Sequence, residues 1–252
     1  SITVLYATDR SRTKYRPPEK WYGQRRGLAL RVGEATVRLG SEGASWERVG
    51  AASRASAKPP MELTALDEYG KLWMTIPSSD AEDYPAASAS TGPSDAIRAP
   101  ERRFLEAVNA KLAGSEWKEI VIYVPGLNTP FTSPVYMMAQ YANFMGRDGV
   151  FIAYSWPASS SFLGYTRQIV TAGVSTRNLR ELILLLARES DAEQINLISY
   201  SAGAPVLTDA LLQLRLMHAD DTAPEIHSSL RLGSVIYAGA DQDLDYFRNL
   251  YL

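Results

Sequence analysis

A chain of 252 residues, 46% apolar and 21% charged, holds enough apolar material for one sizeable globular core with at most a small appendage. Its formal charge is -2, and neither a basic stripe nor a lysine-rich amphipathic helix stands out, which argues against nucleic acid and membrane-surface partners. Without cysteine it has no disulfide, thiolate nucleophile or cysteine metal site, and no apolar run approaches the roughly 20 residues of a membrane span.

Ile2 to Tyr6 reads as a short buried strand, and Thr8 to Arg26 as a polar, turn-rich stretch. Leu28, Leu30, Val32, Val37 and Leu39 fall among polar neighbours as in a half-buried strand, and Leu72 to Ile76 reads as another. From Pro77 to Pro100 the composition shifts to Ser, Ala, Pro, Asp and Gly, the mark of a surface loop or linker. Residues 1–100 are thus expected to form a β-rich N-terminal part that contributes early strands.

Residues 101–252 follow a stricter rhythm. Helix Glu101 to Leu112 leads into strand Ile120 to Val124, and helix Pro134 to Met145 into strand Val150 to Tyr154. A helix over Arg177 to Arg188 precedes strand Ile195 to Ile198, helix Ala204 to Met217 precedes strand Leu232 to Ala238, and 244–252 reads as helix. Apolar strands alternating with helices predict an α/β fold, a doubly wound and mostly parallel sheet covered on both faces.

The segment Ser199-Tyr-Ser-Ala-Gly203 lies between strand and helix and matches the small-x-Ser-x-Gly elbow pattern, with Ser in place of the first Gly. A nucleophile on so tight a turn needs small residues two positions to either side. Ser199 and Gly203 satisfy this for Ser201, whereas Leu197 disqualifies Ser199 itself. The following helix aims its amides at the Ser201 oxygen, and the N–H of Ala202 can stabilise a tetrahedral anion. A Gly-containing turn after an earlier strand holds the second such donor in enzymes of this kind. Pro125-Gly-Leu-Asn128 fits, with the N–H of Leu127 as donor and Gly126, Asn128 and Tyr200 as neighbours lining a pocket.

Taken in order, several stretches carry a family resemblance: Tyr6-Ala-Thr-Asp-Arg10, Trp21-Tyr-Gly23, Val124-Pro-Gly-Leu-Asn128, Tyr154-Ser-Trp-Pro157, Leu163-Gly-Tyr165, Ser199-Tyr-Ser-Ala-Gly203 and Ala240-Asp-Gln-Asp243. The chain resembles a bacterial family of uncharacterised α/β-hydrolases of the esterase/lipase superfamily. It departs from the family at Pro125 and Tyr200, where His is usual. The resemblance implies an α/β-hydrolase sheet, a serine nucleophile and cleavage of an ester-like bond in a small-molecule substrate, without a cofactor. Trp156, Phe162 and Tyr165 would then line an acyl or alcohol pocket or, equally, anchor loops.

A serine hydroxyl needs a base oriented by a carboxylate. Asp241, at the carboxyl end of strand Leu232 to Ala238, is the acid candidate and Asp243 the second, although an Asp here can equally cap the next helix. The two histidines, His218 and His227, precede both and fall in the connection expected below the active face. Counting from Ile120 assigns these strands the third to sixth of the usual eight, with the earlier ones in the N-terminal part, which leaves Leu232 to Ala238 as an apolar sheet edge. A downstream segment or a second chain is therefore expected to complete the sheet and supply the His. The leading expectation is a serine carboxyl-ester hydrolase acting through an acyl-enzyme. The alternative is a catalytically inactive hydrolase-fold module for binding or assembly. No metal-ligand spacing or nucleotide loop is present.

Overall fold

The computed structural model describes residues 1–41, 43, 47, 50–51, 60–72, 95–158 and 165–251. Strands β1 (Ile2–Arg12), β2 (Tyr22–Leu39), β3 (Met61–Lys71), β4 (Glu119–Val124), β5 (Val150–Ser155), β6 (Gln194–Tyr200) and β7 (Leu232–Ala238) form one sheet. Its order is β3-β2-β1-β5-β4-β6-β7. β1 and β4 to β7 run parallel, β2 is antiparallel to β1, and β3 is antiparallel to β2. The helices are α1 (Asp95–Ala113), α2 (Thr132–Phe144), α3 (Tyr165–Glu189), α4 (Gly203–Met217), α5 (Ala223–Ser229) and α6 (Leu244–Tyr251).

Period-two alternation sorts the strand side chains onto two faces. Leu5, Ala7, Ile120, Ile122, Val124, Ile152, Ile195 and Leu197 meet α1, α3 and α4 in one core. Val4, Tyr6, Val121, Tyr123, Phe151 and Ile198 meet Val135, Met138 and Ala142 of α2 in the other. The helical stripe Phe104, Val108 and Leu112 shows why α1 docks. Three apolar side chains four residues apart share one face, all three are fully buried, and each such burial contributes about 2 kcal/mol.

Between β4 and β5 the chain steps one way across the sheet, and from β5 to β6 it crosses back to the other side of β4. Connections leaving the carboxyl ends of β4 and β6 therefore diverge and open a crevice there, the place where open α/β sheets bind ligands. The elbow at Ser201 and the turn at Pro125 end these two strands.

The sequence reading departs from this fold in four places. The stretch 8–26 is mostly strand: β1 runs to Arg12 and β2 starts at Tyr22, because the polar Thr8, Asp9 and Arg10 are fully buried. The reading missed β3, and the strand it expects over Leu72 to Ile76 lies, apart from Leu72, outside the described residues. Bulges opposite Val32/Gly33 and Thr36/Val37 break the alternation of β3, so the buried Leu63 and Leu66 are an odd number of residues apart. Helix α1 begins six residues before Glu101 and contains Pro100, whose ring packs against Gly70 of β3. The connection holding His218 and His227 contains a further helix, α5, where the Glu225 carboxylate accepts the Thr222 amide at 2.7 Å.

Candidate active site

Ser201 adopts φ +50°, a conformation that non-glycine residues rarely take, on the turn between β6 and α4. Such a backbone costs about 1–3 kcal/mol and persists where the surroundings dictate it. Here they do so through main-chain bonds. The Ser201 N–H donates to the Ala238 carbonyl at 3.1 Å, and its own carbonyl accepts from Ala204 N at 2.9 Å and Asp241 N at 3.2 Å. The small-residue requirement is met as the spacing argues. A methyl at Gly203 would stand 2.5 Å from the Val124 carbonyl oxygen and 2.6 Å from that of Pro125. Ser199 is wholly buried, and its hydroxyl has no partner among the described residues.

The turn after β4 closes on the elbow. A methyl at Gly126 would lie 3.0 Å from Ser201 Cβ and 3.4 Å from Ser201 Oγ. Asn128 takes φ +55°, which Asn tolerates. Among the described residues neither the Leu127 nor the Ala202 amide donates a hydrogen bond, while the Asn128 amide is held by the Ala158 carbonyl at 2.9 Å. These two amides, unbonded among the described residues, belong to the two turns that meet at Ser201.

Two buried side chains fix this loop from behind. Trp156 donates its indole N–H to the Pro125 carbonyl at 2.7 Å and is 2% exposed, so it anchors the loop rather than lining an open pocket. Arg10, fully buried, donates Nη2 to the Thr129 carbonyl at 2.7 Å, Nε to Ser155 Oγ at 3.0 Å, and Nη1 to the Gly23 carbonyl at 3.2 Å and Gln24 Oε1 at 3.0 Å. Burial pulls its guanidinium down to about 10, so it stays charged at neutral pH. The adjacent Asp9 points to the other face, where its Oδ2 accepts from Ser175 Oγ at 2.6 Å and Asn178 Nδ2 at 3.2 Å. Desolvation raises its carboxyl above the usual range. The sequence reading used neither residue for the site, because it took polar side chains after a strand as surface.

Asp241 is exposed, with its backbone tied to the Ser201 carbonyl, so acid candidate and elbow lie together. Asp243 caps α6 instead, its Oδ1 accepting the Tyr246 amide at 2.8 Å. Tyr200 is half exposed on the face of α2, beside Tyr123. Tyr165 opens α3, and its side chain, like Phe162, lies outside the described residues. The histidines are far away. His218 ends the 15-residue α4, about 22 Å along the helix from the elbow, with Nδ1 2.7 Å from Asp221 Oδ2. His227 lies in α5, which leads into β7 at Leu232, paired with Ile195 at the opposite end of β6 from Ser201. Among the described residues no group of three or more His, Asp or Glu could hold a metal, and no helix is long and apolar enough to cross a membrane.

The sequence pattern of the family described as alpha/beta hydrolase of unknown function (DUF900) matches residues 101–251, more than half of the chain. No curated protein and no solved structure matches it. The chain belongs to this α/β-hydrolase family, and its seven-stranded, mostly parallel sheet has the corresponding architecture.

Proposed function

We propose that this family member is a serine carboxyl-ester hydrolase. Ser201 Oγ attacks the acyl carbonyl of a small-molecule ester, and its proton passes to a histidine base. The tetrahedral oxyanion rests on the amides of Leu127 and Ala202. The leaving alcohol takes the proton from the base, and water, activated by the same base, then cuts the acyl-enzyme. The observation that carries this reading is the strained φ of Ser201 beside a turn so close that a methyl at Gly126 would lie 3.4 Å from its Oγ, with the Leu127 and Ala202 amides unbonded among the described residues. Asp241 is the proposed acid, and Gly126, Asn128 and Tyr200 border the substrate.

The base comes from a further segment or a second chain. What supports this is the edge strand β7, where Val235 and Ile236 are exposed, and the open face beside it, where Tyr200 and the α2 stripe Met137, Tyr141 and Phe144 are exposed. Strands added there extend the sheet toward Asp241. The remoteness of His218 and His227 equally suits a second reading, a non-catalytic module that binds or assembles through this face. A fluorophosphonate probe, which phosphonylates only an activated serine, separates the two. The native protein should carry a single adduct on the peptide containing Ser201, and a protein that stays unmodified would sink the hydrolase reading.

Arg10 enters as a positioning residue. Arg10→Gln leaves the Thr129 carbonyl without its charged donor and lets the loop move by a fraction of an ångström. Labelling should slow by up to about a hundredfold, as small misplacements at a reacting centre do. In Gln24→Ala, which removes a 3.4 Å contact to the same carbonyl and one acceptor of Arg10 but leaves the Arg10 bond to Thr129 in place, the labelling rate should stay close to that of the parent.

A further inference from the structure

The turn joining β1 to β2 is far more basic than the chain around it. Residues 10–26 hold seven of the 26 Lys and Arg residues and only one of the 28 acidic ones, Glu19. They carry a net +6 in a chain of net -2, which leaves -8 for the remainder. Arg10 is used up in the loop support, and Arg12 lies 4.4 Å over the Trp21 ring and 3.6 Å from Glu68. Lys14, Arg16, Lys20, Arg25 and Arg26 are all exposed, and their side chains have no hydrogen bond or ion pair with the described residues. Elsewhere Arg31, Arg38, Arg103 and Arg180 each meet a carboxylate. Arg26 even stands opposite Arg10 in the ladder, a like-charge pair that costs stability. The fold does not account for this charge.

Its location does suggest a use. β1 runs parallel to β5 and delivers the turn to the carboxyl rim of the sheet. Arg10 and Gln24 at its base both reach the Thr129 carbonyl, in the loop whose Gly126 abuts Ser201. Tyr15 is exposed between the cations, and Trp21, half-buried, donates its indole N–H to the Arg16 carbonyl at 2.7 Å. Both are amphipathic rings of the kind that settle at a bilayer interface.

We propose that this turn docks the protein on an anionic lipid bilayer, with the carboxyl rim facing the headgroups. Exposed cations gathered along the turn (Lys14, Arg16, Lys20) and the start of β2 (Arg25, Arg26) match a plane of many monovalent anions. The -8 on the rest of the molecule turns the basic side toward such a plane, and it repels a long polyanion that would run on past the turn. This goes beyond the proposed hydrolysis and does not depend on it.

Flotation of the full chain with vesicles tests it. One set is phosphatidylcholine alone, the other equal parts phosphatidylcholine and phosphatidylserine. The protein should float with the second set only, and molar salt should release it. Replacing the five cations together (Lys14→Gln, Arg16→Gln, Lys20→Gln, Arg25→Gln, Arg26→Gln) should weaken partitioning at least about a hundredfold, since each basic residue near such a surface is worth roughly fivefold. Should that variant misfold by circular dichroism, the pair Arg25→Gln/Arg26→Gln alone should give about 25-fold. Ser201→Ala should float like the parent, which keeps this result separate from the catalytic one. Equal flotation on both vesicle types, undiminished flotation of the variants, or binding to a single-stranded oligonucleotide without flotation would each overturn the proposal.

Discussion

Ester turnover by the Ser201→Ala protein should fall about a million-fold in kcat, the size of loss seen when the nucleophile of a serine hydrolase is removed. The residue that remains active comes from amides that still polarise a bound carbonyl. The substitution isolates chemistry from folding for a reason visible in the backbone. The polar main-chain groups of Ser201 bond to Ala238, Ala204 and Asp241 whatever the side chain, and its hydroxyl has no hydrogen bond among the described residues. Alanine accepts φ +50° at a cost similar to serine's. The denaturation midpoint should therefore move little while kcat on a short-chain aryl ester collapses. Turnover within tenfold of the parent would mean that another group attacks. A parent protein without turnover would favour the binding or assembly module.

The elbow was legible in the sequence because steric demand writes itself into residue size. Small residues at 199 and 203 around Ser201, between an apolar strand and an amphipathic helix, leave few other conformations. The parallel half of the sheet was legible for a similar reason, since strands buried on both faces read as apolar runs. What stayed hidden follows from burial that runs against polarity. Asp9 and Arg10 look like surface residues, yet they are fully buried, and Arg10 holds the loop that opposes Ser201. Strand β3 was hidden by bulges that no period-two template reproduces. Helix α5 did leave a signal in Thr222-Ala-Pro-Glu225, a capping box with proline in the first turn. The basic turn escaped because near-neutral net charge is an average over a chain whose parts carry +6 and -8.

Gly203→Ala should cost about 3 kcal/mol of stability, which for a chain of this size lowers the melting temperature by roughly 10 °C. The sign is not obvious in advance. Gly203 is the first residue of α4 and has no positive φ, and alanine is favoured over glycine inside a helix by up to about 1 kcal/mol. Geometry decides against it. The added methyl would meet two main-chain oxygens, at 2.5 Å on Val124 and 2.6 Å on Pro125. Neither can rotate away as a flexible side chain would, so the helix or the end of β4 must shift. β4 is gripped on both sides, pairing Tyr123 with Ala153 and Val124 with Ser199, and the Pro125 carbonyl is also bonded to Trp156. Relief therefore falls on the loop carrying Gly126 and Leu127. The reaction of Ser201 with fluorophosphonate should slow together with the drop in melting temperature. An alanine variant that melts and labels like the parent would show that helix and strand do not approach closely enough to force the turn at Ser201, and the strain argument for the nucleophile would fail with it.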